Sequence, residues 1–290
     1  MKIAFYCNNL DEKYQLALYS SVSQRACELG IDLICIQQER LVREFPALVS
    51  FPSKNFVDVD GIILLSSVLM DEKKQQSVKG LIEVFKDRPF VSLSAELDGY
   101  PSIVIKTENS MQDLMNHLLN EHHYKRFIFL GGPPDHPDNV VREKIFRTSI
   151  EKASAKDPQI KADFLYGQFN EYQGMTVFAK YIEEHPDESA DVIVCANDNM
   201  AIGVTRIISS INDGKWQNCA VTGFDDISRA RFVQPSLTTI RQPIKQMGIT
   251  AVNTIYDILN GKKPELVQSV DSTLKIRNSC GCSYEWNDFK

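Results

Sequence analysis

Short apolar runs alternate with amphipathic stretches in the first third of the chain. Four runs, KIAFYC, IDLICIQ, VDGIILLSS and RPFVSLS, have the length and composition of buried strands. Residues 14–29 have apolar positions at helical spacing and stop before Gly30, a typical helix C-cap, and a second helix is predicted at about residues 73–86. Strands that alternate with helices wind into a parallel sheet through right-handed crossovers. The pattern therefore predicts a β-α-β-α-β half.

A second series of the same kind begins at KRFIFLGGPPD. Helices are predicted at residues 111–121, 140–153, 172–184 and 200–211, and strands at 127–130, in ADFLYGQF, at 192–196 and at 220–223. The segment SLTTIRQPIKQMG then indicates a strand-like connector, followed by a helix at 245–259 and a last strand near 272–277. The chain thus contains two α/β halves in tandem, and the late helix can dock on either of them.

Polar side chains follow two neighbouring strands between residues 191 and 226. Asn197 and Asp198 end the first of these strands, and Asp225 and Asp226 end the second. In open parallel sheets, ligands bind at the carboxyl ends of the strands, where loops and helix N-termini face a crevice. This stretch therefore predicts a binding site.

Composition narrows the class of protein. The chain has 290 residues, 43% of them hydrophobic, which is enough for one large core or two medium ones. Its net charge is −6 and it has no Lys/Arg-rich run, so we expect no direct DNA binding by this chain. No segment has the length of a membrane span or a signal peptide, which predicts a cytoplasmic protein without membrane contact.

Cysteines and histidines do not form a metal-binding pattern in the sequence. The seven cysteines are scattered, which favours buried reduced thiols over disulfides. Cys280 and Cys282 form a single C-x-C with no histidine nearby in the sequence, whereas structural zinc needs four ligands. His122 and His123 have no third ligand at metal spacing, and all five histidines are predicted to be surface residues. We therefore expect no metal.

Cofactor and enzyme signatures are equally sparse. Gly131 and Gly132 are followed by no Gly-Lys-Ser/Thr, and no G-x-G-x-x-G follows the first strand, so no nucleotide cofactor is expected. An α/β enzyme that acts on a sugar through Asp225 or Asp226 is an alternative, although adjacent residues at a strand end usually point in different directions. No G-x-S-x-G elbow is present.

Two further side chains have open interpretations. Arg142, in NVVREKIF, is either a solvated surface arginine or a bidentate clamp for hydroxyls or a carboxylate. Phe169, in GQFNEY, is either a core residue or an aromatic that stacks on a ligand.

The runs VIVCANDNMAIGVTRII and VTGFDDISRARFVQPSLTTIRQPIKQMG closely resemble the ligand-sensing core of the LacI/GalR family of repressors. That core is similar to periplasmic sugar-binding proteins. The segments VDGIILLSS, MNHLLNEHHYKRFIFLGGP and LKIRNSCGC also match, so that the resemblance covers essentially the whole chain.

This resemblance implies an α/β fold of two doubly wound parallel-sheet subdomains joined by three crossovers. The expected N-terminal subdomain is 1–105 plus 242–266, and the expected C-terminal subdomain is 106–241 plus 269–282, with 283–290 as a tail or the start of a linker. The late helix would return to the first subdomain. A small polar ligand, a sugar or a similar polyol or nucleoside, would bind in the cleft between the lobes.

Matching positions carry over ten ligand contacts, which are Asn8, Asn9, Tyr14, Ser66, Ser94, Arg142, Phe169, Asn197, Asp225 and Gln242. The chain departs from the family pattern at Ser94, where many members have an acidic contact, and at Lys106 and Ile145.

The resemblance further implies a non-enzymatic sensor that signals by hinge closure, without a cofactor and as a homodimer. It would be the core of a LacI-type transcriptional regulator or the sensor region of a signalling receptor, with a fused or partner output module. The ending RNSCGCSYEW resembles sensor domains that precede a C-terminal signalling module. A degenerate interaction domain that has lost its ligand is a further alternative.

Overall fold

The computed structural model describes residues 1–38, 58–69, 82–83, 86–211 and 214–283. The chain divides into two compact units, Met1–Lys106 with Pro243–Val270 and Thr107–Gln242 with Asp271–Lys290. The backbone therefore passes from one unit to the other three times. The helix predicted near residues 73–86 falls almost entirely outside the described residues.

Unit 1 is built on a six-stranded sheet with the order β11-β5-β4-β3-β1-β2, in which the pairs among β1 to β5 are parallel. Its strands are β1 (Lys2–Cys7), β2 (Asp32–Gln37), β3 (Gly61–Leu65), β4 (Phe90–Leu93), β5 (Ser102–Lys106) and β11 (Val267–Asp271). A 3-10 turn, Ser66–Leu69, follows β3. The strands β1, β3 and β4 are almost wholly buried, as their apolar runs predict.

Two helices of unit 1, α1 (Lys13–Glu28) and the late helix α6 (Ile244–Leu259), pack against each other and share a core with the sheet. Gly248 allows this close approach, because a Cβ atom there would lie 2.4 Å from the hydroxyl oxygen of Ser21. The same hydroxyl donates to the carbonyl oxygen of Lys245 at 2.7 Å. The α6 core residues Met247, Ala251, Val252 and Ile255 are fully buried.

Unit 2 has a second six-stranded sheet with the order β12-β10-β9-β8-β6-β7, in which only β12 runs antiparallel to its neighbour. Its strands are β6 (Arg126–Gly131), β7 (Lys161–Tyr166), β8 (Val192–Cys195), β9 (Ala220–Asp225), β10 (Thr238–Arg241) and β12 (Thr273–Lys275). Its α-helices are α2 (Glu108–Asn116), α3 (Pro137–Ser154), α4 (Glu171–Glu184) and α5 (Asp198–Ser210). Short 3-10 turns lie at Ser228–Arg231 and Asn278–Cys280.

These two sheets confirm the predicted fold class of two doubly wound, largely parallel α/β subdomains. Residues 267–271, around which the third crossover was expected, form edge strand β11 beside β5. One local prediction was wrong. The helix expected at 111–121 ends as α2 at Asn116, and His117–Glu121 continues as a π-helical turn closed by the amide of His122 and the carbonyl oxygen of His117 at 3.2 Å.

Among the described helices, none has both the length and the apolar character that crossing a bilayer requires.

Candidate functional site

The carboxyl ends of the unit 2 strands bring together the five predicted ligand contacts of that unit. Arg142 comes from α3, Phe169 and Asn197 follow β7 and β8, and Asp225 and Gln242 lie at the ends of β9 and β10. Since β7, β6, β8, β9 and β10 are consecutive parallel neighbours, these residues share one edge of the sheet. We call this set the unit 2 cluster.

Arg142 is oriented by the start of its helix. His136 caps α3 by accepting the amide hydrogen of Asp138 at 3.2 Å, and Pro137 occupies the first turn. The guanidinium then donates to the carbonyl oxygen of Ala196 at 2.7 Å and lies 3.7 Å from the ring centre of Phe224. Arg142 is only 6% exposed, so the interpretation as a solvated surface arginine is wrong. Its Nη2 atom lies 3.7 Å from a carboxylate oxygen of Asp138 in the first turn of the same helix, which further fixes the guanidinium.

Asn197 has a structural role that its sequence position only partly reveals. Its side-chain oxygen accepts the amide hydrogen of Met200 at 3.0 Å, which caps α5, and its amide nitrogen donates to the carbonyl oxygen of Phe169 at 2.8 Å. This second bond ties the end of β8 to the loop after β7. One N–H of the Asn197 amide group is left over by these two bonds.

Phe169 lies over glycine. Its backbone has a positive φ of 57°, and its half-buried ring covers Gly132 so closely that a Cβ atom there would lie 2.1 Å from the ring. The ring centre is 5.0 Å from that of His136 in an edge-to-face arrangement. The loop after β6 thus needs glycine because an aromatic ring occupies the space of a side chain.

Asp225 and Gln242 form a polar pair. Asp225 has a φ of 116°, and its carboxylate accepts a hydrogen bond from the amide nitrogen of Gln242. Gln242 is 7% exposed, and its side-chain oxygen is buried without a hydrogen-bond partner among the described residues. A buried acceptor without a donor costs about 1–3 kcal/mol, which a ligand hydroxyl would recover.

Asp226 has different partners from Asp225. Its carboxylate is fully buried and is bound by Arg277 at 2.6 Å and by Arg241 at 2.5 Å, with Arg231 at 3.7 Å. These ion pairs connect the end of β9 to β10 and to the C-terminal segment. The Asp226 carboxylate is therefore poorly suited to proton transfer.

Asp198 is a buried acid whose structural role the sequence pattern did not predict. Its two carboxylate oxygens accept from the hydroxyl of Thr239 at 2.6 Å and from the amide of Ile227 at 2.8 Å, so it joins α5 to β10 and to the turn after β9. Burial, and then the nearby Asp225 carboxylate, raises the pKa of Asp198 well above its ordinary value.

Of four predicted contacts in unit 1, Asn8 and Asn9 follow β1, Ser94 follows β4, and Tyr14 lies in the first turn of α1. The side-chain oxygen of Gln15 accepts the backbone amide hydrogens of Asn8 at 2.9 Å and Asn9 at 3.0 Å, which shapes the loop after β1. The hydroxyl of Tyr14 is 2.8 Å from that of Ser94, and Ser94 adopts a positive φ of 74° after β4. The Asn8 and Asn9 side chains and the Tyr14–Ser94 pair are only partly buried.

Ser66 is the most deeply buried of the predicted contacts. Its hydroxyl has no exposed surface, contacts the hydroxyl of Ser92 and donates to the carbonyl oxygen of Leu93 at 3.1 Å. This side chain joins β3 to β4, and its burial argues against a ligand contact.

Sequence reasoning missed the residues that support these side chains. Gln15 is 4% exposed on α1, and Asn139 is fully buried on α3, where its side-chain oxygen accepts the amide hydrogen of Gly132 at 2.7 Å. A polar residue on the inner face of an amphipathic helix is the signal that could have identified both.

A second grouping corrects the prediction that all five histidines lie at the surface. His117 is 3% exposed, so it is not a surface residue, and its ring lies beside His122, Cys280 and Cys282. The C-x-C therefore does have histidines beside it in the fold.

Comparisons with known proteins agree with this architecture. The profile of the Periplasmic binding protein-like domain matches residues 115–280, more than half of the chain. The HTH-type transcriptional repressor MelR of Bacillus subtilis (strain 168) is 26% identical over 96% of this chain and 78% of its own length. The HTH-type transcriptional regulator CelR of Thermobifida fusca is 26% identical over 76% of this chain, and the match spans 63% of CelR.

Among solved structures, a LacI family transcriptional regulator from Enterococcus faecium with bound ribose superposes on this chain with a TM-score of 0.76. The two sequences are 20% identical, and the superposition covers 96% of this chain and 98% of the regulator chain. The likeness to these solved structures concerns the fold. Together with the sequence matches, it shows that the chain belongs to the periplasmic binding protein-like domain family, as a ligand-binding core of the LacI/GalR type.

Proposed function

We propose that this chain is a non-enzymatic sensor that binds a small, sugar-like polar molecule through the unit 2 cluster. The observation that carries the proposal is the Asp225–Gln242 pair, in which a buried glutamine oxygen has no donor beside an acidic acceptor. A polyol supplies hydroxyl donors to both groups. The guanidinium of Arg142 supplies hydrogen-bond donors for the oxygen atoms of a sugar. The aromatic ring of Phe169 supplies an apolar face for the C–H groups of the sugar.

In unit 1, the loop after β1 and the Tyr14–Ser94 pair are partly exposed polar groups of the kind that bind hydroxyls, and we propose them as further ligand contacts. Ser66 is left out of the proposal because its hydroxyl is buried. Hinge closure on the ligand, read by an output module, belongs to the same proposal. Such a closure transmits only the difference in ligand affinity between the two conformations, typically about 1–3 kcal/mol.

Relatives named as transcriptional regulators support a role in transcription regulation and a cytoplasmic location. A solved neighbour is described as a Lac repressor dimer bound to operator, which supports a homodimer here. The net charge of −6 argues against direct DNA contact by this chain, and we propose that a fused or partner module supplies the output. The alternative of an enzyme that uses Asp226 has little support, because three arginines surround that carboxylate.

The experiment is isothermal titration of the chain with a panel of monosaccharides, disaccharides and nucleosides, after native mass spectrometry has identified any ligand that co-purifies. Asp225→Asn keeps the size of the side chain and suits the positive φ of that position. Since a hydrogen bond to a charged group contributes about 1.5–3 kcal/mol, we expect this variant to bind about 10–100-fold more weakly.

Asp187→Asn is the matched control, because the Asp187 side chain is fully exposed and lies outside the unit 2 cluster. Equal affinity of Asp225→Asn and the wild type would contradict the site. Turnover of the bound sugar would contradict the non-enzymatic function.

A further inference from the structure

Four potential metal ligands from two distant parts of the sequence meet in unit 2. They are His117 and His122, at the two ends of the π-helical turn, and Cys280 and Cys282 in the C-terminal segment. Their four ligand atoms all lie within 4.8 Å of one another. We propose that these residues form a structural zinc site of the Cys2His2 type, which we call the C-terminal zinc site.

The spacing of the ligand atoms fits a tetrahedron around one ion. Zinc with bonds of about 2.3 Å to sulfur and about 2.0–2.1 Å to nitrogen requires N···S separations of about 3.5 Å and an N···N separation of about 3.3 Å. The Nε2 atom of His117 is 3.5 Å from each sulfur, the Nε2 atom of His122 is 3.4 Å from the sulfur of Cys282, and the two Nε2 atoms are 3.1 Å apart. These four of the six edges agree with the tetrahedron to within about 0.2 Å. The other two, from the sulfur of Cys280 to that of Cys282 and to Nε2 of His122, are no longer than 4.8 Å, so a small movement of Cys280 would complete the tetrahedron.

Two backbone features place the ligands. Residues five apart in an α-helix are separated by about 140° around the axis, so His117 and His122 would face different ways. The π-helical turn closes an i to i+5 hydrogen bond instead and brings the rings to 4.6 Å between centres, at 90° to each other. Gly281 has a φ of 97°, and this left-handed turn directs the two cysteine side chains to the same ion position.

The groups around the ligands suit zinc as well. The Nδ1 atom of His117 is 2.7 Å from a carboxylate oxygen of Glu121, and a carboxylate only accepts. The hydrogen is therefore on Nδ1, which leaves the lone pair of Nε2 for the metal, as in the carboxylate–histidine–zinc arrangement. Tyr124 stacks on His122 at 5.0 Å and donates to the carbonyl oxygen of Cys280 at 2.8 Å, so it orients one ligand from each segment.

Charge balance favours the binding of a zinc ion by these four residues. Cys280 is fully buried and His117 is 3% exposed, so a net charge there would be costly. Each thiol releases one proton when it binds, and Zn²⁺ with two thiolates and two neutral imidazoles has no net charge.

The metal-free alternative is a set of thiol and imidazole hydrogen bonds. In that arrangement, Cys280 donates to the carbonyl oxygen of Arg277 at 3.2 Å. However, the sulfur of Cys282 and Nε2 of His122 then both compete for the single lone pair of His117 Nε2, and the sulfur of Cys280 lies 3.5 Å from the same atom without a hydrogen to donate. One metal ion satisfies all three contacts at once.

The experiment measures zinc in untagged full chain, purified with a phosphine reductant, loaded with zinc and desalted. We expect about one zinc per chain. Cobalt in its place should give the absorption bands of tetrahedral Co²⁺ with thiolate charge transfer. Removal of the metal by a chelator should lower the melting temperature, and added zinc should restore it. A wild-type chain that retains less than about a tenth of an equivalent, without cobalt bands, would overturn the proposal.

Variants locate the site. Cys282→Ser and His122→Ala should retain no zinc after desalting, and Glu121→Gln should bind zinc about 10–100-fold more weakly while the chain stays folded. The matched controls are Cys27→Ser, an exposed thiol on α1, and His123→Asn, which keeps its positive φ; both should retain zinc. Zinc that persists in Cys282→Ser and His122→Ala would place the ion elsewhere and refute the assignment.

Discussion

Replacement of Gly132 by alanine tests the contact on which the position of Phe169 depends. The added methyl carbon would lie 2.1 Å from the Cζ atom of the ring and 2.4 Å from both Cε atoms. Since carbon atoms in contact are about 3.5–4.0 Å apart, the ring must withdraw by roughly 1.4 Å or more. The backbone amide of Gly132 can keep its bond to Asn139, so the perturbation is confined to the ring.

Forced repacking of this kind costs about 1–3 kcal/mol of the free energy of unfolding. The ring should also lose its position over a ligand, and the loss of an aromatic contact, about 0.5–1.5 kcal/mol, weakens binding by up to about tenfold. In a Phe169→Ala background no ring is present to be displaced. Gly132→Ala should then cost less than about 0.5 kcal/mol.

Urea denaturation of the wild type, both single variants and the double variant, followed by far-ultraviolet circular dichroism, measures these costs. The dependence of the free energy on urea should be the same for all four proteins, because the unfolded chains expose similar surface. An equal cost of Gly132→Ala in both backgrounds would show that the contact between glycine and ring does not govern this loop.

Two further predictions concern buried carboxylates. Arg277→Met should lower the free energy of unfolding by about 3 kcal/mol, because it removes the most buried partner of the buried Asp226 carboxylate. Arg241→Met should cost about 1 kcal/mol or less, because the Arg241 side chain is 42% exposed. Equal costs of the two variants in urea denaturation would contradict this ranking. The raised pKa of Asp198 means that the folded chain holds this proton to a higher pH than the unfolded chain, in which aspartate titrates near about 3.9. The stabilisation that the Asp198 proton provides is therefore full below about pH 4 and is lost as the pH rises through the raised pKa. The stability of Asp198→Asn relative to the wild type should accordingly grow with pH. A difference in stability that stays constant across the pH range would refute the effect.

The sequence was sufficient for the sheets and for the location of the unit 2 cluster. Apolar runs that end in polar residues such as Asn197 and Asp225 predict strands whose carboxyl ends carry those residues. Both residues do lie at the carboxyl edge of the parallel sheet. Around residues 267–271 the family resemblance implied a crossover, but not its pairing at the edge of the unit 1 sheet, because no residue of VQSVD is fully buried.

Other features depend on tertiary neighbours that no local pattern contains. Ser66 and Ser94 both follow buried strands, yet only Ser66 is enclosed, because Ser92 and the backbone of β4 surround its hydroxyl. His117 and Cys280 are 163 positions apart, so no spacing rule joins them. The π-helical turn spans five residues, too few for periodicity to distinguish it from an α-helix.

The threefold passage of the backbone between the two units has a consequence for synthesis on the ribosome. Unit 1 receives helix α6 and edge strand β11 from residues 243–270, after all of β6 to β10. Until then, the growing chain has β5 with an open edge and lacks the α6 residues that fill the unit 1 core. Unit 1 should therefore depend on chaperones during translation more than unit 2 does, and a stalled chain that ends before residue 243 should aggregate through that uncovered sheet.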